Sequence, residues 1–425
     1  MEAPIIFIAT YVLLLIFPKA RAYIAIGSGA LFILLGILPV NKVLGAVDWN
    51  VILMIAGIMG IVHLFIQSGM PSLLAERLIH RMPDVRWVIV SLALFAGIVS
   101  AFMDNVATVL MVAPVALVIA KTLGISPVTS VLAIAVSSNL QGAATLVGDT
   151  TSILLGGAAK KDFLDFFFYQ GKPGMFFVVQ AGALLSALVL FVRLRDCRKG
   201  VMVDMKVIIS DLFPTFLLIC TIALLILASF FPGRPPVTNG LICMGMLFAG
   251  ILRESIKTGN PRQVITELSK EIDFSTLLLL SGLFVVIAGV VEAGMVADVS
   301  RAFVRFSGGN IFLVYSLIVW ASVVFSAFID NIPYVAAMLP VTAGIAAQLS
   351  IDPTVLFFGL LAGATLGGNL SPIGASANIT AMGILRKNGF NVKTREFMSI
   401  SVPFTMAAVI TGYVLIWLFW GAGAK

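Results

Sequence analysis

Two aspartate–asparagine pairs lie inside apolar segments of the chain, and the residues around them are nearly the same in both places. Residues 100–114 read SAFMDNVATVLMVAP, and residues 326–340 read SAFIDNIPYVAAMLP. A carboxylate inside a lipid bilayer costs roughly 2.5–3.5 kcal/mol, so such a residue usually marks an ion or substrate path. Carboxylate, amide and hydroxyl oxygens are ligands that hard cations accept, and a carboxylate can also carry a proton. The paired motifs therefore predict two related places that bind an ion, a proton or a small polar solute.

Further candidate ligands lie in two later stretches, where serine, threonine, asparagine and glycine interrupt apolar sequence. Glycine lets a helix unwind and expose its carbonyl groups, which is typical of broken helices that line a cavity. The predicted substrate and ion ligands are Ser100, Asp104, Asn105, Thr108, Asn139, Thr145, Gly148, Asp149, Thr150, Ser326, Asp330, Asn331, Asn369, Ser371, Gly374, Ser376 and Asn378. Asp104 and Asp330 are predicted to couple protons to transport, because they are the repeat-related carboxylates deepest in apolar sequence. No catalytic residue, metal site or cofactor is predicted.

A purely structural interpretation exists for several of these residues. Asp104 and Asp330 could simply cap helices. Asp149 could do the same, since its counterpart in the second half is Ala375, which has no carboxylate. Residues 160–165, with two lysines and two aspartates, are predicted to form a solvated loop.

The two motifs belong to a long internal repeat. The spacing between Asp104 and Asp330 along the chain is the same as that between Pro114 and Pro340, Pro127 and Pro353, and Gly148 and Gly374. Upstream the spacing is shorter by a single position, as between Gly57 and Gly282. Corresponding interruptions in two halves of an apolar chain are the sequence pattern of a secondary transporter, whose binding site lies between the halves.

Composition indicates a polytopic, all-α membrane protein. The chain of 425 residues is 60% hydrophobic and 11% charged, with a mean hydropathy of +1.10. Soluble domains carry about 25% charged residues, so a large soluble enzyme is excluded. A membrane enzyme would need a nucleophile–base pair or a metal cluster, and the two histidines lie outside the motifs. The net charge of +7 is a matter of loop placement and does not indicate nucleic acid.

The apolar runs predict about ten full crossings arranged as two repeats. Each repeat contains a re-entrant helical hairpin, which enters and leaves by one face, and a broken transmembrane helix. Since each half makes an odd number of crossings, the second repeat is inverted relative to the first. The predicted boundaries are 1–193 for the first repeat with its hairpin at 86–121 and broken helix at 128–158, 194–207 for a cytoplasmic connector, and 208–425 for the second repeat with its hairpin at 310–347 and broken helix at 353–385.

Loop charges predict the orientation. The face that holds the N-terminus carries only Lys42, Lys160, Lys161, Lys172, Arg234, Arg301, Arg305 and Lys425 of the 27 basic residues. The other 19, among them Lys19 and Arg21, are assigned to the opposite face. Because cytoplasmic loops are enriched in Lys and Arg, both termini are predicted to lie outside the cell.

At its motifs the chain resembles the ion transporter superfamily, which has citrate-transporter-like domains. SAFMDNVATVLMVAP, GAATLVGD, SAFIDNIPYVAAMLP and GGNLSPIGASANI match that pattern in order. The match looks most like arsenite efflux and sodium/proton antiporter permeases of the ArsB/NhaD type, with the pigmentation P protein nearby. The resemblance implies a homodimer in which a transport domain moves against a scaffold, as in an elevator. Related dicarboxylate carriers place Ser-Asn-Thr at the hairpin tips, whereas this chain has Asp104-Asn105-Val106 and Asp330-Asn331-Ile332.

Three functions fit these features. The first is efflux of arsenite or antimonite, driven by protons or with a separate ATPase subunit, since the chain has no GxxxxGK[ST] motif of its own. The second is sodium/proton antiport, and the third is transport of a carboxylate or another oxyanion. Two fixed carboxylates would repel a dianion, which favours the first two. The expected partners are the bilayer of the inner (plasma) membrane, a second copy of the chain, and a small inorganic solute or cation, with H⁺ or Na⁺ as coupling ion.

The predicted orientation can be tested by cysteine labelling in intact cells. Cysteines introduced in segments 194–207 and 253–271 should react with a membrane-impermeant maleimide only after permeabilisation. A cysteine near Lys425 should react without it, because an inverted second repeat returns the C-terminus to the outside. Protection of that C-terminal cysteine in intact cells would contradict the inverted arrangement.

Overall fold

The computed structural model describes residues 2–197, 199, 200, 209, 211–231 and 233–422. Across these residues the chain forms twenty α-helices and one two-stranded hairpin, so the predicted all-α membrane fold is confirmed. The first ten helices are α1 (Glu2–Ile16), α2 (Arg21–Leu34), α3 (Val40–Ala46), α4 (Trp49–Gln67), α5 (Met70–Ile79), α6 (Val85–Ser100), α7 (Asn105–Leu123), α8 (Val128–Gln141), α9 (Thr150–Ala159) and α10 (Met175–Arg193).

The second ten helices follow in the same order and with similar lengths. They are α11 (Phe213–Ser229), α12 (Thr238–Thr258), α13 (Pro261–Glu271), α14 (Phe274–Glu292), α15 (Met295–Ser307), α16 (Ile311–Ser326), α17 (Asn331–Leu349), α18 (Thr354–Gly367), α19 (Ser376–Lys387) and α20 (Thr394–Ile416). The hairpin strands are β1 (Phe168–Tyr169) and β2 (Lys172–Pro173). Of the predicted connector 194–207, residues 198 and 201–207 lie outside the described part of the chain.

Repeat-related residues start the helices in the same way in both halves. Asp48 caps α4 by accepting a hydrogen bond from the amide of Val51, and Asp273 caps α14 in the same manner. Such caps satisfy amides that have no partner within the helix. Gly69 and Gly294 precede α5 and α15 with a φ of 76° each, a left-handed conformation that favours glycine. The repeat seen in the sequence is therefore a repeat of local structure.

Fewer helices have crossing length than the ten crossings expected. Seven described helices are long and apolar enough to span a bilayer, or up to nine if two bent pairs count as spans. One bent pair is α1 with α2, whose axes meet at 114°, although the sequence suggested two separate crossings. The halves of the broken helices are too short to cross alone. The number of crossings therefore stays a prediction.

Helix–turn–helix hairpins and broken helices lie at the predicted positions, while re-entry stays a prediction, since α7 and α17 are among the helices long enough to cross a membrane. In each hairpin a helix ends, a short turn of four residues follows at 101–104 or 327–330, and the second helix starts. In each broken helix a 3₁₀ turn (Gly142–Ala144 or Gly368–Leu370) leads to extended backbone before the helix resumes. The short helices α5, α13 and α15 are not predicted by the apolar runs, because their polar faces interrupt those runs.

Glycines allow helices of the two halves to cross at close range. A Cβ on Gly282 of α14 would lie 2.5 Å from the carbonyl carbon of Ala25 on α2. A Cβ on Gly57 of α4 would lie 2.6 Å from the carbonyl carbon of Cys243 on α12. Each crossing thus pairs a helix of the first half with a helix of the second half, α2 with α14 and α4 with α12. Both crossings need a residue without a side chain.

The centre of the molecule is formed by α8 and α18. Every residue of α18 is buried, and so are nearly all residues of α8. Gly359, Gly363 and Gly367 stand one helical turn apart on α18 and pack against α16, where a Cβ on Gly367 would meet the Cα of Val323 at 2.6 Å. Small residues at this spacing let two helix backbones approach closely. The first halves of the two broken helices, α8 and α18, are therefore surrounded by protein.

Substitution of the crossing glycines should destabilise the fold. Gly57→Ala and Gly282→Ala each place a methyl group against backbone that cannot move aside, which costs roughly 1–3 kcal/mol. We expect both variants to melt below the wild type in detergent, as followed by intrinsic fluorescence. Gly27→Ala is the matched control, since a Cβ there meets nothing within 4 Å. Equal melting temperatures for all three variants would contradict the packing described.

Candidate ion and substrate site

Four helix N-termini begin at the hairpin turns and at the breaks of the two broken helices. Asp104 precedes α7, Asp149 precedes α9, Asp330 precedes α17, and Ala375 precedes α19. Each aspartate accepts a hydrogen bond from an amide in the first turn of its own helix: Ala107, Thr150 and Ile332, respectively. The N-terminus of α19 has no side-chain cap. Three of the four positive helix ends therefore carry a carboxylate.

Two repeat-related hydroxyl groups attach each hairpin turn to the neighbouring helix break. The hydroxyl of Thr145 donates to the carbonyl oxygen of Ala101 at the first turn. The hydroxyl of Ser371 donates to the carbonyl oxygen of Ala327 at the second turn. Both residues were predicted as ligands, and here both satisfy backbone carbonyls that the ends of α6 and α16 leave free.

Glycine at the break is required by the same contact. A Cβ on Gly148 would come within 2.6 Å of the carbonyl oxygen of Gly142 and 2.8 Å of that of Ala101. Gly374 stands in the equivalent place, with a Cβ position 2.6 Å from the carbonyl oxygen of Gly368. Any side chain at these positions would push the hairpin turn away from the broken helix.

A second repeat-related pair closes each break. Ser152 on α9 donates a hydrogen bond to the carbonyl oxygen of Gly142 at 3.1 Å. Asn378 on α19 donates to the carbonyl oxygens of Gly368 and Ser371, both at 3.2 Å. The side-chain oxygen of Asn378 is buried and has no hydrogen-bond partner among the described residues. This amide oxygen is a free acceptor at the second break.

Asn139 and Asn369 join the two broken helices. The amide of Asn139 donates to the carbonyl oxygen of Thr365 at 2.7 Å and to the side-chain oxygen of Asn369 at 3.2 Å. Asn369 in turn donates to the carbonyl oxygen of Val136 at 2.8 Å. Asn105 from the first hairpin donates to the side-chain oxygen of Asn139 at 3.0 Å. One buried amide network thus ties the first hairpin to both broken helices.

Asp149 lies where the two halves meet. Its carboxylate accepts a hydrogen bond at 2.8 Å from the hydroxyl of Thr151, which contacts the hydroxyl of Thr365 at 3.0 Å. The amide of Asn331 at the second hairpin lies 3.5 Å from the same carboxylate oxygen. Asp104, Asp149 and Asp330, the caps of three helix ends around the buried amide network, form the three-aspartate unit.

Asp330 has a cationic partner that the sequence analysis missed. The guanidinium of Arg21 on α2 lies 2.6 Å from its carboxylate, although Arg21 was assigned to a cytoplasmic loop. The hydroxyl of Tyr11 on α1 donates to the carbonyl oxygen of Pro333, one turn further along α17, at 2.8 Å. The two helices on either side of the bend, α1 and α2, therefore both contact the second hairpin at its turn and at the start of α17. Asp104 has no ion pair among the described residues.

The remaining predicted ligands occupy different surroundings. Ser100 accepts a hydrogen bond from Ser138 at 3.0 Å, and Ser326 donates to the carbonyl oxygen of Ala364. Thr108 donates to the carbonyl oxygen of Asp104, while Thr150 is buried in the first turn of α9. Ser376 is exposed at the start of α19, apart from the buried network. Within the described ranges, no three His, Cys, Asp or Glu side chains lie close enough together to hold a metal ion.

A cavity of about 1060 Å³ lies beside the network. Its walls include Asp48 and Asn239 at the starts of α4 and α12, Leu146 in the first break, and the loop after α9. That loop is not solvated as predicted, because Lys161 is buried with its ammonium group 2.8 Å from the centre of the Tyr169 ring. Burial lowers the pKa of Lys161 to about 8. None of the three aspartates of the network lines the cavity.

The nearly all-helical fold, with its apolar helices and paired breaks, is that of a membrane protein, and its sequence relatives are transport proteins rather than enzymes. The chain belongs to the Citrate transporter family (CitMHS), whose sequence profile matches residues 11–363. This confirms the predicted superfamily, while special closeness to arsenite and sodium/proton permeases stays a prediction.

Relatives and solved structures agree with this class. The chain is 30% identical to an uncharacterised transporter of Mycobacterium tuberculosis over 97% of each chain. It is 23% identical to the P protein of Mus musculus, over 87% of this chain and 54% of that protein. The YdaH transporter of Alcanivorax borkumensis has the same fold, with a TM-score of 0.65 and 16% identity over 90% of this chain and 88% of that chain. The antimetabolite efflux pump MtrF of Neisseria gonorrhoeae also has this fold, with a TM-score of 0.60 and 18% identity over 90% of this chain and 83% of that chain.

The amide bridge between the broken helices should behave as one unit. Asn139→Ala and Asn369→Ala each remove a donor to a buried carbonyl and should cost about 1–3 kcal/mol of stability. Because the two side chains share a hydrogen bond, the double variant should cost less than the two single variants together. Thermal unfolding of the four proteins in one detergent measures this coupling, and strict additivity would contradict it.

Proposed function

We propose that this transporter exchanges protons for a monovalent cation such as Na⁺ at the unit formed by Asp104, Asp149 and Asp330. The observation that carries the proposal is the buried carboxylate of Asp149, which contacts Asn331 of the second hairpin and, through Thr151 and Thr365, the amide network that holds the first hairpin. A proton and a cation can compete for such a carboxylate, since each neutralises the same charge. Occupation by one then requires release of the other, which is the exchange step.

Charge counting supports a cationic cargo. Each helix N-terminus contributes about half a positive charge, so four of them supply roughly two. Three carboxylates supply three negative charges, so an excess of about one remains, which Arg21 offsets in the present conformation. Without that ion pair, one bound proton or monovalent cation corrects the excess. A citrate anion, which the family name suggests, would increase it unless it arrived protonated or bound to a cation.

Efflux of arsenite is the second candidate. The sequence favoured it because Thr145, Asn369, Ser371 and Asn378 supply hydroxyl and amide groups for a neutral hydroxylated solute. In the structure their donors are all engaged with backbone carbonyls of the protein itself. The side-chain oxygen of Asn378 remains free among the described residues, and it would accept a hydrogen bond from As–OH. The efflux pump MtrF, which shares the fold, fits an outward direction of transport.

Movement would follow from the two-fold construction. We propose inverted repeats in which the hairpins and broken helices form a mobile body, while α2, α4, α12 and α14 form a scaffold. The tight attachment of each hairpin turn to its helix break supports the first grouping, and the glycine crossings between the halves support the second. The site would pass between the two sides of the plasma membrane with this body, in an elevator motion. A homodimer with both termini outside completes the proposal, and an ATPase partner is needed only for the arsenite candidate.

Flux measurements in proteoliposomes test the exchange. A pH gradient, acid inside, is imposed and followed with a fluorescent pH dye while NaCl, arsenite or citrate is added outside. Wild-type protein should collapse the gradient on addition of Na⁺. Asp104→Asn and Asp149→Asn should reduce the response to that of protein-free vesicles, because neither side chain can release a proton. Asp298→Asn is the matched control, since it removes an exposed carboxylate from α15.

The three solutes separate the candidate functions. If arsenite collapses the pH gradient and Na⁺ does not, the protein transports arsenite and the proposed cation exchange is wrong. A response to citrate alone would favour the third function of the sequence analysis. Normal exchange by Asp104→Asn would contradict the assigned role of this carboxylate under either cation or arsenite transport.

A further inference from the structure

Helices α2 and α12 occupy equivalent places in the two halves. The number of residues between equivalent positions of these two helices is smaller than that between the two Asp-Asn motifs. Gly57 and Gly282 are repeat-related, and they pack on Cys243 and Ala25, respectively. Ala25 therefore corresponds to Cys243. The spacing between these two residues also relates Pro18 to Pro236, Arg21 to Asn239, Gly27 to Gly245, and Phe32 to Gly250. The scaffold position that holds Arg21 in one half thus holds Asn239 in the other.

These equivalent positions have different contacts. Arg21 is paired with Asp330 at 2.6 Å, so the second hairpin turn is docked on α2. Asn239 is only 6% exposed, and its side-chain oxygen has no hydrogen-bond partner in the described part of the chain. Asn239 also lines the cavity of about 1060 Å³, and so does Leu146, which lies next to the residue that holds the first hairpin turn.

We infer that Arg21 and Asn239 are matched docking residues, one for each hairpin turn, and that Asn239 receives Asp104 and Asn105 in a second conformation. This inference rests on the proposed movement of the hairpins as one body. In an inverted repeat, the second state arises when the two halves exchange their arrangements. Exchange takes the second turn away from Arg21 and brings the first turn, with Leu146, into the cavity next to Asn239. The amide of Asn239 then donates to Asp104, and its free oxygen accepts from the amide of Asn105.

The two docking residues differ in charge, which makes the two states unequal. Arg21 places a full positive charge against the carboxylate of Asp330, whereas the amide of Asn239 would offer Asp104 a hydrogen bond from an uncharged donor. The positive charge of Arg21 also offsets the excess negative charge of the three-aspartate unit. Docking on Asn239 brings no charge, so the second state needs a bound proton or cation to neutralise the unit. Arg21 therefore stands in for the transported cation in the state seen here.

Repeat-related cysteine pairs can report the two states without altering the docking residues. Tyr11 contacts Pro333 in the present state, so Tyr11→Cys with Pro333→Cys marks it. The spacing of the motifs leads from Pro333 to Ala107. The loop before α12 (230–237) has eight residues and the loop before α2 (17–20) has four, so the spacing between α1 and α11 is four shorter than the 218 that relates Ala25 to Cys243. Tyr11 therefore corresponds to Leu225, and Leu225→Cys with Ala107→Cys marks the second state. Both pairs are built in a chain whose native cysteines are replaced, purified, and treated with a short bismaleimide. The yield of intramolecular cross-link is read by gel mobility after cleavage between the halves.

Exchange of the docking residues should invert the preference. With Arg21 and Asn239 in place, the 11/333 pair should cross-link several-fold more than the 225/107 pair. Arg21→Asn together with Asn239→Arg should reverse this ratio, whereas Arg21→Lys should keep it. An unchanged ratio in a monodisperse exchange variant would overturn the inference, as would a 225/107 pair that never cross-links in any variant.

Cross-linking needs no gradient, so it separates this inference from the proposed function. If the cross-linking ratio inverts while no solute is exchanged in vesicles, the docking role of Arg21 and Asn239 is supported and the proposed cation exchange is contradicted. If vesicles exchange cations while the ratio stays fixed, the proposed exchange is supported and the docking role is contradicted.

Discussion

Every backbone group released by the two helix breaks must find a partner inside the protein, because the core of a bilayer contains no water to replace it. Here the partners are other released groups and the short side chains beside them. The carbonyls at the end of α6 and α16 take hydroxyls from Thr145 and Ser371, and the turns meet glycine at the breaks. The hairpins cannot sit elsewhere without leaving these groups unpaired, so this constraint fixes the geometry of the whole central region.

The carboxylates follow from the same constraint. A helix that starts inside a membrane presents free amides, and an aspartate at its first position satisfies one of them and offsets the positive helix end. Asp104, Asp149 and Asp330 are therefore caps in their local structure. This capping role is compatible with the proposed function. Under that proposal, the same caps bind the proton or the cation.

Much of the fold was readable from the sequence, since a repeat that keeps glycine, proline and Asp-Asn at one constant spacing leaves few arrangements. The hairpin turns and both helix breaks lie where polar residues interrupt apolar runs. Arg21 could not be found in this way, because a basic residue after a proline between two apolar runs is typical of a loop. Arg21 corresponds to Asn239 at a shorter sequence spacing than the one that relates the two motifs. The structure reveals this spacing, because Ala25 and Cys243 pack against the repeat-related glycines Gly282 and Gly57. Lys161 was misread for a similar reason, since nothing local reveals the aromatic ring that covers it.

The amide bridge between the broken helices also has a consequence for biosynthesis. Asn139 donates to the carbonyl oxygen of Thr365, which the ribosome adds only after more than half of the chain has followed Asn139. At about 5–20 residues per second, a ribosome needs roughly 10–45 seconds to supply that partner. During this interval the first broken helix holds an amide and several carbonyls that only the second half can satisfy. The nascent first half must therefore wait at the translocon or in contact with water, and it reaches the interior of the bilayer only in the company of the second.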